Sequence, residues 1–442
     1  AAGQQLLGEA MKAQKWSWGS LPVDFPAYWA YAGLDCVLTA RLHKLQFPEV
    51  AASYKEVYEL EMASTRVCMG MEQRGARIDL PYCERQLQRL LDYCEEVQAY
   101  CGAMYGVQNI GSNDQVTRKL VELGVELTEK TPTGKWKLDE EVIESINHEL
   151  ANQVRMHHKA KKIANTYFKN FIDKHDHERL HPNIRVLGAR TGRMSITDPA
   201  LQTLPRGSIV RDAFIPDEGC LLLSADMDQI EMRLLAHFSQ DPGLIDAINS
   251  GDLHTETARR VYGDSSIHKK DPRRQTAKNA GFAKIYGAGV EKFAKTAGIP
   301  LQEAAAFLNG YDAMFPGVRT FQSFVEQVAV QRMREDGVAW VKSPIGRRHV
   351  ADEYKNYTLV NYLIQGTAGD VLKQMLVDLD LVGLGDMLVV AVHDEVILNV
   401  PHDDVPEVAE LVRRTMTRTE WAVPLTAGVE GPFKRWGEKY AT

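Results

Sequence analysis

The stretch AVHDEVIL, residues 391–398, drops His393, Asp394 and Glu395 into a run of strand-forming apolar residues. Buried, unpaired charge is costly, so such a triplet needs a bend or a ligand. MLVVAV before it and VILNV after it both read as strands, which puts HDE at the bend of a β-hairpin with side chains free to point into a cleft. Local hydrogen bonding in the bend explains an aspartate there equally well. A second carboxylate stands in LLLSADMDQIEMRLLAHFS, where an apolar strand ends at Asp226 and a helical pattern begins. Asp226 is therefore either a helix cap or a partner for Asp394. As a pair on neighbouring strands the two aspartates offer the hard oxygen ligands that Mg²⁺ prefers, and two ions about 4 Å apart would clamp an in-line phosphoryl transfer. The third stretch, DPRRQTAKNAGFAKIYGAG (271–289), opens with a capping aspartate and a proline, the signature of a helix start. Arg274, Lys278, Phe282 and Tyr286 then recur every four residues and line one stripe about 18 Å long. Two cations followed by two aromatic faces suit a triphosphate, a sugar and a base. An amphipathic surface helix with an aromatic patch has the same pattern.

The elements that must position these side chains follow from periodicity. Residues 52–73 and 81–105 have helical spacing, separated by RGARIDLP, and 139–173 reads as a further helical stretch, basic along much of its length. Between 180 and 216 turn formers and arginine replace periodicity, which implies loops and short strands. A buried strand is expected at 220–225, helices from there to about 335, and strands at 338–344 and 387–392 with the helix VNYLIQGTAGDVLKQMLVDL between them. The chain is α+β, and 442 residues allow two to four domains. The net charge of −7 disfavours a nucleic-acid partner for the chain as a whole. Locally, 151–215 carries twelve Lys or Arg against five Asp or Glu, and 269–295 eight against two. Such clusters fit a phosphate-tracking surface or a solvated basic face. Six scattered cysteines without a CxxC pair indicate free thiols and argue against zinc. No apolar run approaches a membrane span and the opening residues resemble no export signal, so a cytoplasmic protein is expected. No Walker-type phosphate loop occurs, and HDHE at 175–178 reads as a surface helix end rather than a metal site.

Taken in order, DMDQIEMR (226–233), the Arg-x3-Lys-x3-Phe-x3-Tyr-Gly series from Arg274 to Gly287, and HDE resemble the three signature motifs of family A DNA polymerases, the bacterial DNA polymerase I type. Further matches extend through most of the chain: TGRMSITDPALQTLPRG (191–207), GDLHTETARRVYG (251–263), FPGV (315–318), GRRH (346–349) and NYLIQGTAGD (361–370). The wording LGARTGRMS is most similar to polymerases of actinobacterial phages. The resemblance implies a right hand with an antiparallel palm sheet and helical fingers and thumb: thumb at 51–175, palm at 176–250 and 360–442, fingers at 251–359. In residues 1–50, Tyr31 and Asp35 resemble the last motif of a 3′→5′ exonuclease, but no Asp-x-Glu precedes them. This segment is expected to be the remnant of such a domain, without exonuclease activity.

By the same resemblance the chain is a template-directed DNA polymerase that extends a primer 3′-hydroxyl with dNTPs on primer-template DNA and releases pyrophosphate. It would serve replication or repair as a monomer, in the host cytoplasm if phage-encoded. Asp226 and Asp394 are the expected ligands of two Mg²⁺ ions, for which Mn²⁺ substitutes, and Glu395 would assist without being an essential ligand. Arg274, Lys278 and His254 would neutralise the triphosphate, with Lys278 counted as catalytic. Phe282 and Tyr286 would pack against the incoming nucleotide and the templating position. Gln229 and Glu231, one and two turns into the helix after Asp226, would lie at the nucleotide, Glu231 closing the space beside C2′. Arg193, Asn361, Gln365 and His393 would follow the minor groove, where acceptors common to all base pairs allow pair shape to be checked. The departures from the family pattern are Met227 and Asp228 for Tyr-Ser, Gly281 for Asn, and a charged Lys284 at a commonly apolar position. A non-catalytic DNA-binding relative would have lost one of the two aspartates, and Glu231 disfavours a ribonucleotide polymerase of related architecture.

Overall fold

The computed structural model describes residues 2–205, 207–352 and 355–441. Its chain divides into two compact units, one reaching to Met62 and including Pro344–Arg347, the other comprising Ala63–Ser343 and the chain from Arg348 onward. The smaller unit is built on the helices Ala2–Gln14 and Pro26–Ser53. No side chain of the second helix is buried, and its Tyr31 hydroxyl donates to Asp35 one turn on.

In the larger unit the apolar run CLLL becomes the strand Cys220–Met227, two residues longer than expected. It lies inside a four-stranded antiparallel sheet whose order is Ala427–Phe433, Cys220–Met227, Glu395–Pro401, Leu388–Val392. A strand buried on both faces carries a continuous apolar run rather than alternation, which is what CLLLSA displays. Register then places the chemistry. Asp226 lies directly opposite Glu395 on one neighbour and Gly428 on the other. Leu388–Val392 and Glu395–Pro401 pair up to Val392 opposite Glu395, so His393 and Asp394 form the two-residue bend and Glu395 is already inside its strand. His393 adopts left-handed backbone, φ 59°. That conformation costs about 1–2 kcal/mol outside glycine, and bends this tight require a positive φ.

The helices Lys55–Arg74 and Leu80–Tyr105 correspond to the first two helical patterns, with Asp79 capping the second by accepting the Tyr82 N–H at 2.9 Å. The expected helical stretch over 139–173 is two helices, Glu140–Ser145 and a continuous run from Glu149 to Lys174 that widens to a π-type turn over Ile163–Lys169. His148 starts the second piece by accepting the Leu150 N–H at 3.0 Å on Nδ1, a local polar bond that competes with helix continuation. A small separate core that includes Val97, Leu120, Ile143 and Val154 packs here. The main core joins the sheet to the helices Ile230–Ser239, Pro272–Tyr286 and Thr358–Leu379. Thr358–Leu379 is buried nearly all round and correspondingly shows no polar face. The 180–216 region holds loops and the short strands Arg179–Leu180, Asn183–Arg185 and Ser195–Thr197, and, beyond what was expected, a 3-10 turn at Leu201–Thr203 and a one-turn helix at Ser208–Arg211. His175 follows a helix end, and Asp176 and His177 are exposed.

Candidate active site

Pairing of Cys220–Met227 with Glu395–Pro401 carries Asp226 to the bend, where the Met227 N–H donates to the Asp394 carbonyl at 3.2 Å. The two aspartates converge. Burial and then the neighbouring Asp394 push Asp226 up to about 6, and burial raises Asp394 as well. Asp226 is not a helix cap, because the strand continues through Met227 and Gln229 takes left-handed backbone (φ 49°) before the helix Ile230–Ser239 begins. The expected depths of Gln229 and Glu231 are thereby corrected: Gln229 precedes the helix and Glu231 lies in its first turn. Periodicity could not register a single left-handed residue. Asp228 is exposed and accepts the Thr426 hydroxyl at 2.7 Å.

Glu395 is fully engaged by protein groups. Its Oε1 accepts from Ser224 Oγ at 2.6 Å, Lys439 Nζ at 3.0 Å and Trp436 Nε1 at 3.3 Å, while Oε2 accepts the Tyr440 hydroxyl at 2.9 Å. Burial alone would raise this carboxyl, but Lys439 and these hydrogen bonds outweigh it and hold Glu395 below its ordinary value. The same ammonium stands 3.9 Å from Asp226 Oδ2 and 3.6 Å from Glu430 Oε2. No motif or periodicity in the sequence singled out Lys439.

On the helix Pro272–Tyr286, Asp271 caps the start by accepting the Arg273 N–H at 2.9 Å. The rings of Phe282 and Tyr286 stand 6.5 Å apart, in line with the expected stripe. Arg274 donates through Nε and Nη2 to the two carboxylate oxygens of Asp252 at 3.0 and 3.1 Å, which leaves its Nη1 edge uncommitted to that pair. Asp252 also caps Leu253–Tyr262 and accepts the Thr255 hydroxyl at 2.7 Å. Against burial, these bonds from Arg274 and Thr255 hold it well below the usual carboxylate range. The signal for Asp252 lay in GDLH, an acid just ahead of a helix. His254 is buried and pushed down to about 4 by burial, then by Arg274 and Lys278. Burial and the two neighbouring cations thus favour the neutral ring while no anion is bound beside it.

A cavity of about 260 Å³ beside the bend is lined by Arg193, Met227, Gln365, His393 and Asp394 among others, and so gathers three of the four groove candidates at one of the aspartates. Arg193 Nη2 donates to Glu231 Oε1 at 2.5 Å, and the other Glu231 oxygen is buried without a hydrogen-bond partner. Gln365 Nε2 donates to the Tyr286 hydroxyl at 2.6 Å. Asn361 is buried one turn earlier on the same helix. A larger cavity, about 530 Å³, opens against Arg155, His158, Lys159 and Lys162 in the basic 151–215 segment. Two departures have structural accounts. Lys284 Nζ pairs with Asp312 Oδ1 at 2.6 Å, and a Cβ at Gly281 would meet Met232 Cε at 3.1 Å.

The family model for DNA polymerase family A matches residues 80–438. The chain belongs to DNA polymerase family A. The polymerase is similar to the DNA polymerase of Mycobacterium phage D29, 31% identical over 432 residues that cover 96% of this chain and 70% of that protein. It is 33% identical over 425 residues to the thermostable DNA polymerase I of Thermus filiformis, covering 89% of this chain and 49% of that one. Among solved structures, the POL domain of Pol1 from M. smegmatis, in complex with DNA primer-template and dNTP, matches with a TM-score of 0.75 and 28% identity. That match covers 85% of this chain and 70% of that chain. The polymerase thus has the right-hand polymerase fold and is a DNA-directed DNA polymerase, a nucleotidyltransferase. No helix among the described residues is long and apolar enough to cross a membrane.

Proposed function

We propose that the polymerase extends a primer 3′-hydroxyl on primer-template DNA with dNTPs, in replication or repair, at a site centred on Asp226 and Asp394. The observation that carries this reading is the convergence of two half-buried carboxylates, Asp226 raised to about 6 by burial and by Asp394, at the end of the central strands. Such a pair fits divalent metal. Its oxygens are hard ligands, and its charge is only partly offset by Lys439. Mg²⁺ bound through two carboxylates draws its other ligands from water and substrate phosphates. Bound there, the ions would supply Lewis-acid activation of the attacking oxygen and stabilisation of the departing charge. The bond formed is from the primer 3′-oxygen to the α-phosphorus; the bond broken is α-phosphorus to bridging oxygen, and pyrophosphate leaves.

The protein's own groups do the remaining work in this reading. The free edge of Arg274 and the Lys278 ammonium meet the triphosphate, and His254 donates a hydrogen bond without adding charge. Phe282 and Tyr286 present faces to the base and the templating position, and Gln229 lies at the nucleotide. Glu231, held by Arg193, closes the space at the sugar. Arg193, Asn361, Gln365 and His393 track the minor groove. The assignments of 51–175 as thumb, 176–250 with 360–442 as palm, 251–359 as fingers and 1–50 as exonuclease-like belong to the same proposal. The test is primer extension with Mg²⁺: Asp394→Ala abolishes extension while DNA affinity stays within about threefold, because the basic surfaces are untouched. Substantial extension by the variant overturns the assignment.

A further inference from the structure

We propose that the C-terminal turn Trp436–Tyr440 is a working part of the active site, in which Lys439 is a positioning residue that holds Glu395 out of the metal-holding pair. The inference rests on the reading of Asp226 and Asp394 as that pair. Glu395 lies directly across the sheet from Asp226 and one residue after Asp394. Like charges at directly opposed strand positions repel, and a carboxylate so placed is within easy reach of any cation that the aspartates attract. What prevents it from turning is the set of donors on its two oxygens. Three of the four, Trp436 Nε1, Lys439 Nζ and the Tyr440 hydroxyl, come from this one turn.

The turn is itself clamped. The Arg211 guanidinium lies 5.3 Å from the Trp436 ring centre and 4.4 Å from that of Tyr440, the Trp436 ring packs edge-on against Phe214, and the Trp436 N–H donates to the Phe214 carbonyl at 3.1 Å. The Lys439 and Glu395 side chains are 11% and 8% exposed. An exposed pair would hold little, but removing the cation from a pair this buried leaves the Glu395 charge uncompensated, with only the neutral donors Ser224, Trp436 and Tyr440 on it. The nearest alternative is the cation at Asp226 and Asp394. A simple docking role for the chain end predicts lost stability instead, with no change in metal affinity.

The experiment compares the full chain with Lys439→Met and Lys439→Arg variants, each also carrying Glu395→Gln, and measures Mn²⁺ binding by electron paramagnetic resonance without DNA or nucleotide, alongside melting and primer extension. Lys439→Met is expected to bind Mn²⁺ at least about threefold tighter, to lose that gain entirely with Glu395→Gln, and to extend primers with a kcat at least about tenfold lower at little-changed KM. Lys439→Arg restores both readouts. Lys439→Gln gives the same reading should the Met variant fold poorly. Unchanged Mn²⁺ affinity in both neutral variants, or a gain that persists with Glu395→Gln, overturns the proposal. The underlying metal reading fails separately, if the parent chain binds no Mn²⁺ or binds it equally well with Asp394→Ala.

Discussion

Replacing Asp226 with Asn should stabilise the metal-free protein while abolishing its activity. The free Asp side chain has a pKa near 3.9, and in the folded protein burial and Asp394 raise it to about 6. The native state therefore binds the proton more tightly than the unfolded chain, and stability declines as pH rises through the window from about 4 to about 6. At about 1.4 kcal/mol per unit, the full shift corresponds to about 3 kcal/mol above pH 6. Because the Asp226 side chain is 47% exposed, solvent screening reduces this to about 1–1.5 kcal/mol. Asn keeps the shape and has no charge to desolvate. In EDTA at pH 7.5 the variant should melt about 1–2 °C above the parent, and at pH 4 the two should coincide. Adding Mg²⁺ should raise the parent's melting point and leave the variant's unchanged, since only the parent binds the ion through the intact pair. Differential scanning calorimetry at the two pH values reads this directly. A variant less stable than the parent at pH 7.5, or a gap of equal size at pH 4, would refute the electrostatic argument.

Glu231→Ala should lower the ratio of kcat/KM for deoxynucleotides over ribonucleotides by at least about tenfold, and an unchanged ratio counts against the steric role of that side chain. Asp252→Asn keeps the helix cap but loses the ion pair with Arg274; steady-state kinetics should give a KM for dNTP several-fold higher with kcat nearly unchanged, whereas an unaltered KM means Arg274 is oriented by something else. His254→Gln preserves a neutral hydrogen-bonding group, so extension should stay within about tenfold of the parent and the rate profile between pH 6 and 8 should keep its shape. A step in that profile lost on substitution would show that His254 does titrate there.

The elements with strong patterns were legible in the sequence. HDE between two apolar runs announced a hairpin bend, CLLLSA a buried strand, and Asp271-Pro272 with a four-residue repeat the start and face of a helix, because strand pairing, capping and helical pitch act over a few residues. Less regular stretches misled. The 139–173 helical stretch is interrupted at 146–148, where His148 bonds the nearby backbone, and Gln229 delays a helix by one left-handed residue.

Residue types and spacing alone determined that this chain carries two carboxylates at strand ends and a cationic-aromatic stripe, since covalent order fixes both. Tertiary structure alone decided the state in which those groups work. It pushed the His254 pKa down by burying it beside Arg274 and Lys278, bound Arg274 to Asp252 at the cap of a preceding helix, and raised Asp226 by burying it next to Asp394. It also brought Lys439, 44 residues along the chain, to Glu395. Charge and protonation depend on desolvation and on neighbours a few ångströms away in space, and neither quantity is a function of distance along the chain.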